Sequence, residues 1–179
     1  MCIRDRFNKI DWSGRGDNWG IGLPPGNANQ AQWPIEQPLL ANAALKPTAA
    51  NILESTSAFQ EFLKIRYANG LFRMSTFAEV QANLSFLNTG QNQVPGLIVM
   101  KLDGHGKNYQ GAQQIVVFFN ATNAPVTFTS AALQGGKLRL DAIQQQSADT
   151  KVRQSTLDNK QGVATIPALT TAVFTGKEE

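Results

Sequence analysis

Between Phe77 and Phe174 the chain alternates short apolar runs with Gly, Pro and Asn. "LIVMKL" is nearly continuous in apolar residues, and "QIVVFFNAT" is β-branched and aromatic until it breaks at Asn120. "VTFTSAAL" alternates, and "KLRLDAI" places Leu138, Leu140 and Ala142 on one face. "VATIP" and "TAVFTG" follow. Alternation marks half-buried strands, and turn residues at this spacing predict an antiparallel β-sandwich. Gln144 to Gln161 is polar and reads as a loop with an irregular or edge strand.

Before this region, Thr48 to Ala68 has helical periodicity. Ile52, Leu53, Phe59, Phe62, Leu63 and Tyr67 fall close to one face. Thr48 is placed to cap the N-terminus, and Asn69-Gly70 predicts a left-handed stop. The face is too broad for a solvated helix, and its partner is not evident in the chain. Phe7 to Pro47 holds neither period. It carries all three Trp (Trp12, Trp19, Trp33) and five of the eight Pro, and it reads as a long loop.

Composition narrows the classes. The 179 residues are 42% hydrophobic and 16% charged, with a net charge of +3. The basic residues are scattered, so no nucleic-acid footprint is formed. No apolar run is long enough to span a membrane, and no signal-type apolar core follows Met1. The single Cys2 and single His105 exclude an internal disulfide and argue against a zinc site. His105, between two Gly, reads as an exposed turn residue. "MCIRDR" matches a reading frame of a transposase mosaic-end sequencing adapter, so residues 1–6 are expected to be foreign to the chain, which then began upstream of Phe7.

Candidate chemistry is sparse. Gly14, Gly16, Gly20 and Gly22 lack the Gly-Lys-Ser/Thr of a phosphate cradle. Arg15-Gly16-Asp17 is a chance tripeptide. Asn83-Leu84-Ser85 and Asn120-Ala121-Thr122 have the form of glycosylation acceptors. Asp11 and Asp17 stand near the Trp residues, while Asp103, Asp141, Asp149 and Asp158 have no evident partner. No Ser-His-Asp set or paired carboxylate completes an active site. The three Trp can stack on sugar rings or anchor a loop, and composition does not choose between these.

The ordered series "FNKIDWSGRGDNWGIGLPPGNANQAQWP", "PLLANAALKPT", "FLKIRYANGLFRMST", "LSFLNTGQNQVPGLIVMKLDG" and "IVVFFNAT" resembles the C-terminal part of pullulanases and limit dextrinases, in the α-amylase superfamily. The resemblance runs from Phe7 almost to the end. It implies a mainly β fold: a C-terminal antiparallel β-sandwich (75–179) preceded by the last loop and helix of a truncated (β/α)8 barrel (7–74). It implies hydrolysis of α-1,6-glucosidic links in pullulan, amylopectin or limit dextrin by a retaining pair of acids. None of those acids matches a position here, so the chain alone is expected to be inactive, with no catalytic residue and no metal ligand. By motif, Asp11 is expected beside the substrate, with Arg15, Asn18 and Trp19 in the same cleft. The expected partners are α-glucan and the upstream barrel. No cofactor is expected in this chain; calcium is common in the superfamily, but no calcium loop is visible. The alternative reading is a non-catalytic sandwich that binds α-glucan or stabilises a partner domain.

Overall fold

The computed structural model describes Leu23 and residues 26–176, which divide into two compact units at Ser57/Ala58. In the first unit, α1 (Gly26–Asn29), a 3₁₀ turn (Gln30–Gln32), α2 (Trp33–Ala41) and a second 3₁₀ turn (Ala43–Leu45) follow in order. The expectation of a loop is corrected here. Pro34 lies in the first turn of α2, where its missing N–H costs nothing, whereas Pro38 sits inside the helix. The Pro content that suggested a loop is therefore only partly at odds with a helix. The Trp33 ring lies beside Gly26, where a Cβ would stand 3.1 Å from it, so this Trp packs on its own unit. None of these short helices buries a residue.

Helix α3 (Ala49–Ala68) is capped as its sequence predicts. The Asn51 N–H donates to Thr48 Oγ1, and the Thr48 N–H donates back to Asn51 Oδ1. Its end differs from expectation. Asn69 is extended (φ −121°) rather than left-handed, and Gly70 opens a 3₁₀ turn (Gly70–Arg73). The Asn69 side chain does the capping instead. Its Nδ2 donates to the Ile65 carbonyl and its Oδ1 accepts from the Ala112 N–H. The Gly70 N–H donates to the Gln110 carbonyl at 2.7 Å. Gly111 must be glycine, because its φ is +82° and a Cβ would collide with the Ala68 carbonyl.

The second unit contains the sandwich. It begins within α3 and adds the helices α4 (Phe77–Asn83) and α5 (Ala142–Gln145). Its strands are β1 (Leu84–Phe86), β2 (Leu97–Asp103), β3 (Gln114–Asn120), β4 (Val126–Thr129), β5 (Arg139–Leu140), β6 (Thr156–Asp158), β7 (Val163–Ile166) and β8 (Thr170–Gly176). The five-stranded sheet has the order β1-β2-β3-β8-β5 and the three-stranded sheet β4-β7-β6. Every pairing is antiparallel. The fold is mainly antiparallel β, as the strand pattern predicts, and β6 is the expected edge strand.

Strand β3 explains its own apolar run, because it is covered on both faces. Val116 and Phe118 point between the sheets, among Val99, Phe128, Ile166 and Phe174. Ile115 and Val117 point outward into a second cluster with Ile65, Leu71, Leu102 and Val173. The C-terminal turn of α3 thus seats on the outer face of the larger sheet through Ile65, which is 1% exposed.

Two further expectations are corrected. Phe77–Asn83 is a helix, not a strand. Thr76 and Glu79 form a reciprocal capping box, a signal present in the sequence as Thr-x-x-Glu. "KLRLDAI" is a strand for two residues only. Asp141 caps α5 through the Ile143 N–H, and Ala142 is exposed. Where β5 stops, the Gln144 side chain takes over the edge of β8. Its Nε2 donates to the Thr171 carbonyl and its Oε1 accepts from the Val173 N–H at 2.7 Å. This pairing satisfies backbone groups that a longer strand would have paired.

These contacts move the expected protease-resistant core. Sequence alone puts its start between about residues 68 and 80, from the predicted domain boundary. Buried Ile65 and Asn69 put it earlier. Limited proteolysis followed by intact-mass analysis is expected to leave a core starting between Ala58 and Ile65. A core starting beyond Asn69 would contradict the seating of α3.

Candidate functional site

Asp11, Arg15, Asn18 and Trp19 lie outside the described residues, as does Trp12. Among the described residues no three His, Cys, Asp or Glu side chains gather as metal ligands, and no helix is long and apolar enough to cross a membrane.

Helix α3 carries apolar side chains on more than one side. At about 100° per residue, Ile65 lies some 200° around the helix from Leu63. Ile65 is buried, while Phe59, Phe62, Leu63 and Tyr67 are 65%, 39%, 48% and 74% exposed. The helix therefore has two apolar sides. The narrow one, missed in the sequence because a single Ile carries it, is covered by the sandwich. The broad one read from the sequence is open.

Beside this open side lies a groove of about 500 Å³, lined by Leu63, Lys64, Arg66, Tyr67, Ala68 and Arg73. The turn Gly70–Arg73 folds back on the helix and carries Arg73 over the Tyr67 ring, with Cζ 5.4 Å from its centroid. Arg73 Nη2 also donates to Gln110 Oε1 at 2.6 Å. Arg66 Nη1 donates to the Phe72 carbonyl. Each guanidinium keeps further N–H donors for other acceptors.

His105 is the exposed turn residue predicted, at φ 49°. Its Nε2 lies 3.1 Å from the Ala82 carbonyl. Beside it, burial pushes the Asp103 carboxyl up. Hydrogen bonds from Gln114 Nε2 and the His105 N–H, with the Lys101 ammonium, outweigh this and hold it below its ordinary value. The Glu79 carboxyl is lowered chiefly by the Thr76 hydroxyl, then by the Ser75 and Thr76 N–H groups.

Both folded values lie below the unfolded ones, so the native state binds fewer protons in this range. The stabilisation is complete above the ordinary carboxylate range, near pH 4, and is lost as pH falls below it. Melting temperatures from pH 6 to pH 3 are expected to fall with acid, and to fall less in the Glu79→Gln, Asp103→Asn double variant. An equal slope in both would contradict the assignment.

Neither glycosylation acceptor is accessible in the folded chain. Asn83 and Asn120 are each 3% exposed, and their Nδ2 atoms are spent. Asn83 Nδ2 donates to the Glu79 carbonyl, and Asn120 Nδ2 donates to the Ala124 and Pro167 carbonyls. A glycan on either nitrogen would remove these bonds.

The family described as alpha-1,6-glucosidases, pullulanase-type, C-terminal, matches residues 14–177, and the chain belongs to it. It is 38% identical over 177 residues to pullulanase 1, chloroplastic, of Arabidopsis thaliana, covering 95% of this chain and 18% of that protein. It is 28% identical over 174 residues to a Klebsiella pneumoniae pullulanase, covering 95% and 16%. The crystal structure of apo pullulanase from Klebsiella pneumoniae superposes with a TM-score of 0.81 at 28% identity, over 98% of this chain and 19% of that one. The chain thus spans less than a fifth of the length of these relatives.

Proposed function

We propose that this chain is the C-terminal part of a starch-debranching enzyme that cleaves α-1,6-glucosidic links in pullulan, amylopectin or limit dextrin. Residues 7–74 are the end of its catalytic barrel, namely the loop after the eighth strand and the eighth helix. Residues 75–179 are the C-terminal sandwich, and residues 1–6 are an adapter scar. The nucleophilic Asp and general-acid Glu belong to barrel strands upstream, and this chain alone does not hydrolyse pullulan.

The observation that carries the reading is the two-sided α3. A helix whose narrow side is buried on a sandwich while Phe59, Phe62, Leu63 and Tyr67 stay open is suited to lie between two layers. A barrel sheet is the layer that the family membership suggests. Asp11, Arg15, Asn18 and Trp19 then border the substrate at the barrel face where such loops gather.

A chimera tests this. Residues 14–177 replace the matching segment of the chloroplastic Arabidopsis relative. The folded chimera is expected to release reducing ends from pullulan, and the 179-residue chain to release none. A folded but inactive chimera, or an active isolated chain, would contradict the reading.

A further inference from the structure

We propose that the groove between α3 and the Gly70–Arg73 turn is a socket for a carboxylate side chain from the polypeptide that precedes this chain in its longer relatives. The inference rests on the barrel reading above and names a contact within it.

Lys64, Arg66 and Arg73 line one small groove, yet none has a carboxylate within ion-pair distance among the described residues. The ion pairs among the described residues both belong to Asp103, outside this groove. The Tyr67 ring holds the Arg73 guanidinium from one side and Gln110 fixes one nitrogen, so the fork is oriented before any acid arrives. A planar, preset guanidinium suits a carboxylate better than a flexible ammonium does. The remaining wall is apolar, formed by Leu63, Ala68 and the Tyr67 ring, and it accepts the short stem of an Asp or Glu.

Charge complementarity gives the chemistry of the occupant. Its source follows from the length of the relatives, of which this chain covers 16–19%. It follows too from continuity, since Leu63 and Tyr67 belong both to the groove and to the open side of α3.

The 179-residue chain, labelled with ¹⁵N, is titrated with 4-phenylbutyrate and, separately, with its uncharged amide, 4-phenylbutyramide. The acid is expected to shift the Nε–H signals of Arg66 and Arg73 and the ring signals of Tyr67 in the millimolar range. The amide is expected to bind about fivefold more weakly, as is the acid to Arg73→Gln. Unchanged β-sheet amide signals show that the variant is folded. Equal binding of acid and amide, or no localised shift, would overturn the socket. So would inorganic phosphate shifting the same signals at lower concentration. A dimer that Arg73→Gln dissociates in sedimentation would assign the groove to a second copy and overturn the source. None of these readouts involves pullulan cleavage, so the socket can fail while the debranching reading stands.

Discussion

Replacing Phe118 by alanine is expected to destabilise the sandwich unit by about 4 kcal/mol, the largest effect of any single truncation among the described residues. Phe118 is fully buried between the two sheets. Its ring meets Phe174 edge-on at 5.7 Å and Phe128 at 6.2 Å between centroids. Alanine removes the transfer energy of the ring and leaves a cavity. It also breaks both aromatic pairs, each worth about 1 kcal/mol beyond its buried area. The neighbours cannot collapse into the space, because β3 is pinned by β2 on one side and β8 on the other. Phe118→Leu keeps most of the volume and is expected to cost less than half as much. Denaturant unfolding followed by far-UV circular dichroism measures both. A Phe118→Ala cost near 1 kcal/mol would mean that the two sheets do not share this core.

Asn120→Asp is the second large effect, and it changes almost no volume. Asn120 ends β3 in the larger sheet and ties it to the smaller one. Its Nδ2 donates to the carbonyls of Ala124, Ile166 and Pro167 at 2.9, 3.2 and 2.8 Å. Its Oδ1 accepts from the Thr122 N–H and the Thr122 hydroxyl. A carboxylate there turns a donor into a buried charge facing three carbonyl oxygens. Such groups cost about 1–3 kcal/mol each when left unpaired, and more when charged, so a loss of about 4 kcal/mol is expected at pH 7. Protonation restores one donor, so the deficit is expected to shrink as pH falls through the acid range. A variant as stable as the parent at neutral pH would refute the bridging role. The same geometry keeps the Asn120 amide of "NAT" buried and hydrogen-bonded in the folded chain.

Much of the sandwich was legible because its central strands are unusual. β3 needs apolar residues along its centre, since both faces are covered there, and "IVVFF" supplies them. β2, β7 and β8 carry similar runs or clear alternation. The misreadings occurred where side chains replace backbone. The Asn69 amide closes α3 in place of a left-handed turn, and the Gln144 amide extends the edge of β8. Neither use can be read from residue type alone. α4 could have been found, since Thr76 and Glu79 spell its capping box. α2 was hidden by Pro34 and Pro38. The broad face of α3 was legible from its period, but the groove was not. Tyr67 and Arg73 meet only because the Gly70–Arg73 turn folds back.

Under the proposed function, residues 7–179 continue a longer debranching enzyme. Reading an intact source clone across the codon for Phe7 is the decisive measurement. The open reading frame is expected to continue upstream without a stop, to lose "MCIRDR", and to encode the acids of a retaining glycosidase. A genomic "MCIRDR" in frame behind a stop codon would contradict it.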